Sequence, residues 1–252
     1  MRGLKDKVGI VAGAGRGIGA ATVRRLAAEG AAVVVGDIRE AEARSVADEI
    51  NNAGGRALAV AMDITDEKSV AELVQKAVSA FGGLDFFHAN AAGGTEGDVD
   101  ALNCPLEVFD KSVAINMRSH LICTQQALPA LLERGGGAMV YTSSGAAYGG
   151  APWQVAYPMA KNGLHALMRH VAARWGKENI RANVVAPGVV LTKAVREHLT
   201  DEYVEQALAR VPSTRLGQPD DIAGMVAFLV SDDGQWINGQ VFSVNGGAAM
   251  RD

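Results

Sequence analysis

Cysteine is nearly absent: Cys104 and Cys123 are the only two in 252 residues. Two thiols build neither a disulfide framework nor a metal cluster, and the chain reads as a protein of a reducing compartment. No stretch reaches the roughly 18 consecutive apolar residues of a membrane span. The opening "MRGLKDKVGIVAGAGRG" carries no long apolar segment ahead of a cleavage site. A cytoplasmic, unprocessed protein with no membrane partner is therefore expected. Basic runs are missing too: 24 Lys and Arg face 28 Asp and Glu, a net charge of −4. A nucleic-acid partner is not expected, because binding phosphates takes a basic excess or stripe. The histidines His88, His120, His165, His170 and His198 form no H-x-x-x-H or H-E-x-x-H pair, and no zinc site is expected. No serine sits in a G-x-S-x-G elbow, which removes the usual serine-hydrolase signature.

Short apolar, β-branched runs alternate with longer amphipathic segments. Lys7–Ala12, Ala31–Asp37, Ala57–Asp63, Leu84–Asn90, Ala138–Ser144, Ile180–Ala186 and Gln240–Val244 read as strands. Several are apolar almost throughout, "AAVVVG" most clearly, as strands covered on both faces of a parallel sheet are. In "DEKSVAELVQKAVSAFGG" the residues Val70, Leu73, Val74, Ala77, Val78 and Phe81 follow helical spacing, and Gly82 suits a C-terminal stop. End-to-end alternation means βαβ units with right-handed crossovers. No linker divides the chain, so residues 1–252 are expected to form one α/β domain. Two segments break the rhythm, Gly93–Glu107 after the fourth strand and Leu191–Arg215 after the sixth. Both follow strand C-terminal ends, where open α/β sheets bind ligands. The second is amphipathic and reads either as a substrate lid or as an extra surface helix.

Between the first predicted strand and helix lies "VAGAGRGIG", Val11 to Gly19. A backbone without Cβ atoms approaches a bulky anion closely, and the following helix turns unpaired N–H groups and its positive dipole end toward it. A pyrophosphate fits this description. Gly13, Gly17 and Gly19 follow G-x-x-x-G-x-G rather than G-x-G-x-x-G, and Arg16 and Ile18 lie among them as candidate contacts. Asp37 ends the second strand, where a carboxylate accepts hydrogen bonds from adenosine ribose hydroxyls. A ribose 2′-phosphate would attract Arg16 but lie against Asp37. Two unit charges at about 4 Å repel by roughly 4 kcal/mol at an effective dielectric of 20. A charge-assisted hydrogen bond returns only about 1.5–3 kcal/mol. The balance favours NAD over NADP, with Arg39 the residue that keeps NADP in play and Arg16 otherwise a solvated turn residue.

"SSGAAYGGAPWQVAYPMAK" holds Ser144, Tyr157 and Lys161. Of four tyrosines only Tyr157 has a lysine four residues on, which places both side chains on one helix face. The ammonium is expected to favour the phenolate and lower a pKa that starts near 10. Such a phenol can exchange a proton with an alcohol near neutral pH.

From "LKDKVGIVAGAGRGIG" to "NGQVFSVNGG" the whole chain resembles the short-chain dehydrogenase/reductase family. The resemblance implies a Rossmann-type, doubly wound, seven-stranded parallel sheet with helices on both faces. It implies Tyr157 as general acid/base and Lys161 as the group that lowers its pKa and binds the nicotinamide ribose. Ser144 would hold the substrate oxygen, with Ser143 the lesser candidate. Asn116 in "VAINM" would support a water and proton relay to the lysine. Asp63 and Ile64 match the adenine contact, Asn90 the adenine ribose, and Pro187, Gly188 and Thr192 the nicotinamide segment. It also implies a homotetramer or homodimer built on the helices around Asn116 and Tyr157. Ala12 stands where the family has threonine, and "ANAA" at 89–92 stands for N-N-A-G, departures that touch support of the cofactor loop.

The expected activity is interconversion of a secondary alcohol and a ketone with NAD(H). Two alternatives stand beside it: an NADPH-dependent 3-oxoacyl thioester reductase, and a non-catalytic dinucleotide sensor or scaffold. The second would tolerate erosion of Ser144, Tyr157 or Lys161, and all three are present. Tyr148, Trp153, Val189, Val190, Leu199 and Tyr203 are candidates to line a substrate pocket, although Trp153 equally suits the core.

Overall fold

The computed structural model describes residues 1–198 and 200–250. Seven strands, β1 (Val8–Ala12), β2 (Ala32–Asp37), β3 (Arg56–Ala61), β4 (Phe86–Ala89), β5 (Gly137–Thr142), β6 (Ile180–Pro187) and β7 (Val241–Val244), form one sheet in the order β3-β2-β1-β4-β5-β6-β7. Every pairing is parallel. The chain builds outward from β1 to β3, then returns to the other side of β1 at β4. That reversal leaves a crevice beyond the ends of β1 and β4, where Ala12 lies level with both Gly36 and Ala89.

The strands read as continuous apolar runs because both faces are covered. Ile10, Ala12 and Val34 join a core with residues of α3 (Glu67–Phe81), α5 (Ser119–Glu133) and α6 (Ala156–Trp175). Val11, Val33 and Val35 face the opposite core, built on α1 (Gly17–Ala28), α2 (Glu40–Asn52) and α9 (Pro219–Val230). The period of two along each strand thus sends alternate side chains to different helix layers.

Helix α3 starts three residues before the apolar pattern. The Asp66 carboxylate accepts the Lys68 N–H at 2.9 Å, and Gly82 ends the helix at φ 82°. α4 (Leu106–Val113) runs through one π-type turn, Ala114–Arg118, into α5. The segment after β6 holds α7 (Lys193–His198) and α8 (Asp201–Ala209). Leu199, a candidate pocket residue, lies outside the described residues. Among the described residues no helix is long and apolar enough to cross a membrane.

Four predicted strand ends need correction. β3 stops at Ala61 rather than Asp63, β4 at Ala89 rather than Asn90 and β5 at Thr142 rather than Ser144, while β6 runs on to Pro187 rather than ending at Ala186. Ser144 is still extended, with φ −157° and ψ 151°, but it caps the short turn Gly145–Ala147 by accepting the Ala146 N–H at 3.2 Å.

Candidate active site

A cavity of about 1150 Å³ opens at the switch point of the sheet. The glycine turn forms one end. Gly13 and Gly17 have φ of 84° and 56°, conformations that a side chain strains. A Cβ on Gly13 would lie 2.7 Å from Ala91 Cα, and one on Gly19 would lie 2.0 Å from the Gly13 carbonyl oxygen. Gly13, Arg16, Gly17 and Ile18 line the cavity, whereas Gly19 is buried behind the turn. Gly19 lets α1 pack directly against the Gly13 carbonyl. The first turn of α1 has no side-chain cap and no acidic residue. Its N–H groups are thus available to an anion, and the cradle fits a pyrophosphate.

Asp37 lines the same cavity, buried, with its carboxylate fixed by the backbone. Oδ2 accepts the Gly15 N–H at 2.9 Å and Oδ1 the Arg39 N–H at 3.0 Å. Arg39 reaches between two acids, 3.9 Å from Asp37 and 3.8 Å from Glu42. The second oxygen of Glu42 is buried and has no hydrogen-bond partner. Glu42 was not legible as a site residue: only its place in the first turn of α2 after Asp37 hints at it. Asp63, Ile64 and Asn90 also line the cavity.

Asn90 ties the glycine turn to β5. Its Nδ2 donates to the Gly13 carbonyl at 2.9 Å, and its Oδ1 accepts the Thr142 hydroxyl at 3.1 Å. The Thr142 oxygen lies 2.8 Å from His88 Nε2. Because that hydroxyl is spent on Asn90, the network assigns His88 as the donor. Burial, then the neighbouring Lys161, pushes His88 down to about 3, so the imidazole is neutral. The sequence analysis assigns His88 no role. Its pairing with Thr142 across two strands leaves no sequence signal.

The opposite wall carries Ser144, Tyr157 and Lys161. Tyr157 and Pro158 sit in the first turn of α6, where proline's missing N–H costs no helical bond. Lys161 is fully buried, its Nζ 5.9 Å from the centre of the Tyr157 ring and donating to the Thr142 carbonyl at 2.9 Å. Burial pushes the ammonium down to about 7. Burial also pushes the Tyr157 phenol above its ordinary value, and the nearby Ser144 hydroxyl opposes that shift. The expected lowering of Tyr157 by Lys161 is thus not what the chain alone does: the fully buried Lys161 and the partly buried Tyr157 are each driven toward their neutral forms.

Asn116 is buried and outside the cavity wall. Its Nδ2 donates to the carbonyls of Gly93 at 2.7 Å and Ser112 at 3.0 Å, and its Oδ1 accepts the Gly93 N–H at 3.3 Å. The side chain ties down the loop after β4, and none of these bonds goes to Lys161. Ser143 lines the cavity, but its hydroxyl donates to the Lys161 carbonyl at 3.0 Å and lies 2.9 Å from His165. Pro187, Gly188, Val189, Val190, Thr192 and Tyr203 close the remaining side. Tyr148 and Trp153 do not. Tyr148 packs on the His165 ring at 5.2 Å, and Trp153 is 64% exposed in the loop before α6.

Fold and cavity are those of the dinucleotide-binding class of α/β proteins. A family model described as enoyl-(acyl carrier protein) reductase matches residues 13–249. The L-rhamnose 1-dehydrogenase (NAD(P)(+)) of Azotobacter vinelandii is 41% identical over 97% of both chains. The 7α-hydroxysteroid dehydrogenase of Escherichia coli is 36% identical over 98% of this chain and 96% of its own. A solved 7α-hydroxysteroid dehydrogenase complexed with NADH and 7-oxo glycochenodeoxycholic acid superposes with a TM-score of 0.93 at 36% identity, covering 99% of this chain and 96% of that one. The chain belongs to the short-chain dehydrogenase/reductase family of oxidoreductases.

Proposed function

We propose that this protein interconverts a secondary alcohol and a ketone with NAD(H), with Tyr157 as the general acid and base. The observation that carries the reading is one continuous cavity with an uncapped helix N-terminus and a carboxylate-lined niche at one end and Ser144, Tyr157 and Lys161 at the other. When bound, the dinucleotide supplies the hydride acceptor or donor. The chain supplies position and proton transfer. The turn at Gly13–Gly17 and the first turn of α1 bind the pyrophosphate. Asp37 accepts from the adenosine ribose, with Asp63, Ile64 and Asn90 beside it. Pro187, Gly188 and Thr192 border the nicotinamide. The substrate oxygen sits between the Ser144 hydroxyl and the Tyr157 phenol, which takes the proton during oxidation and returns it during reduction. Lys161 stabilises the phenolate from below the ring. The segment 191–215 contributes Tyr203 and acts as the lid, and two or four copies associate through the α4–α6 side.

Asp37 and Glu42 both argue for NAD(H) over NADP(H). A 2′-phosphate would meet two carboxylates, and Arg39 is already engaged by them. Titrating nicotinamide fluorescence against NADH and NADPH tests this directly. NADH is expected to bind at least about tenfold more tightly, the repulsion far outweighing that 1.4 kcal/mol step. Glu42→Gln is expected to narrow the gap by freeing Arg39. A preference for NADPH would favour the thioester-reductase reading instead. Turnover is tested with a panel of a 7α-hydroxysteroid, L-rhamnose, cyclohexanol and a vicinal diol. Tyr157→Phe should keep NADH affinity and lose about 10²–10⁴ in rate, the usual worth of acid–base help. Near-normal turnover would remove the phenol from the chemistry.

A further inference from the structure

The loop after β4 interrupts the strand–helix rhythm of the sequence without showing what it is for. Its root is held at Gly93 by Asn116. Its tip delivers the carboxylate of Asp98 to the N-terminus of α6, 57 to 59 residues further along the chain. Oδ1 accepts the N–H groups of Val155 at 3.0 Å and Ala156 at 2.9 Å, and Oδ2 accepts the N–H of Tyr157 at 2.9 Å. Val155, the residue before the helix, makes no side-chain cap of its own. The orphan donors of the helix that carries Tyr157 are therefore satisfied by a distant acid rather than by a local residue. An acid at a helix N-terminus also complements the dipole.

We infer that Asp98 is a positioning residue for the reaction: by clamping the Val155–Tyr157 backbone, it fixes where the Tyr157 phenol stands relative to Ser144 and Lys161. The inference rests on the acid–base reading of Tyr157. It gives the β4–α4 loop a catalytic purpose. The same loop, through Asn116, is anchored to the π-type turn between α4 and α5. A shift of the loop therefore moves the reacting hydroxyl.

The physical argument makes an asymmetric prediction for substitutions. In Asp98→Asn one oxygen remains, enough for Val155 and Ala156, but the amide NH₂ now faces the Tyr157 N–H donor. In Asp98→Ala all three backbone bonds are lost, with the weaker one from the Cys104 thiol at 3.8 Å. A misplacement of the order of 1 Å in a reacting group costs as much as about 10²-fold. Asp98→Asn is expected to lose about tenfold in kcat on the alcohol panel and Asp98→Ala more. In both, NADH affinity by nicotinamide fluorescence stays within about twofold, because the dinucleotide cradle makes no contact with Asp98. The solvent deuterium isotope effect on kcat rises, because proton transfer to a misplaced phenol becomes limiting. A merely structural role would lower kcat and NADH-binding capacity together and leave the isotope effect unchanged.

A measurement without substrate accompanies the kinetics. Hydrogen exchange at the amides of Ala156 and Tyr157 should quicken about tenfold or more in Asp98→Ala while those of β1 are unaltered. Unchanged exchange at those amides overturns the inference, as does a kcat that stays at the wild-type level in both variants while Tyr157→Phe is inactive. Wild-type turnover in Tyr157→Phe would instead bring down the acid–base reading itself.

Discussion

Lys161 and Tyr157 are four residues apart, and that spacing alone places them on one helix face. Depth in the molecule is a different matter. Lys161 is wholly buried, its ammonium donating to the Thr142 carbonyl and lying against the Tyr157 ring, and burial disfavours its charge. The folded pKa of about 7 lies below the ordinary 10.5. Between those values the unfolded chain holds a proton that the folded chain gives up, so this group's contribution makes stability rise with pH across that window. Below about pH 7 the full cost of burying the cation is present. Lys161→Met should therefore raise Tm at pH 7, by about 2–4 °C per kcal/mol recovered at this chain length, while turnover is lost. Calorimetry beside the alcohol assay checks both halves, and a lower Tm would refute the burial argument. Tyr157 is pushed the other way, above its ordinary value. With Tyr157 as the proposed general base, alcohol oxidation should consequently rise toward alkaline pH, and ketone reduction should fall there.

Elements were legible where apolar periodicity is strong. The seven strands and α3 lie within a few residues of their predicted limits, because burial on both sheet faces leaves a continuous apolar run. Strand ends were less so: nothing in the side chains of Asn90 or Ser144 says that pairing has stopped. The turn from β1 into α1 is the element proposed to hold the pyrophosphate. Gly19, though outside the cavity, makes that turn possible, since its hydrogen faces the Gly13 carbonyl where a methyl would be 2.0 Å away. Gly19→Ala must push α1 off the turn, an overpacking that costs typically about 1–3 kcal/mol. A lower Tm and NADH affinity reduced by about tenfold or more are expected, read by calorimetry and nicotinamide fluorescence. Wild-type values for both would show that the turn tolerates a side chain.

At the scale of the whole molecule, residues more than a hundred positions apart meet because the sheet order reverses at β1. Asp37, Asn90, Tyr157 and Gly188 share one cavity for that reason alone. The helical side carrying α4–α6 leaves Leu106, Leu121, Leu132 and Met159 exposed. These apolar residues agree with association through this face. Light scattering coupled to size exclusion should return two or four times the 26.2 kDa chain mass. A stable monomer at micromolar concentration would refute that expectation.

Local and periodic information in the sequence determined the βαβ alternation, the glycine turn and the Tyr157–Lys161 pairing, because each depends on near neighbours along the chain. Asp98 on the end of α6, Glu42 beside Asp37, His88 beneath Thr142 and the buried setting of Lys161 were decided only by tertiary structure. Each of these depends on groups brought together from separate elements. Neither composition nor spacing records which donors, acceptors and charges packing will place side by side.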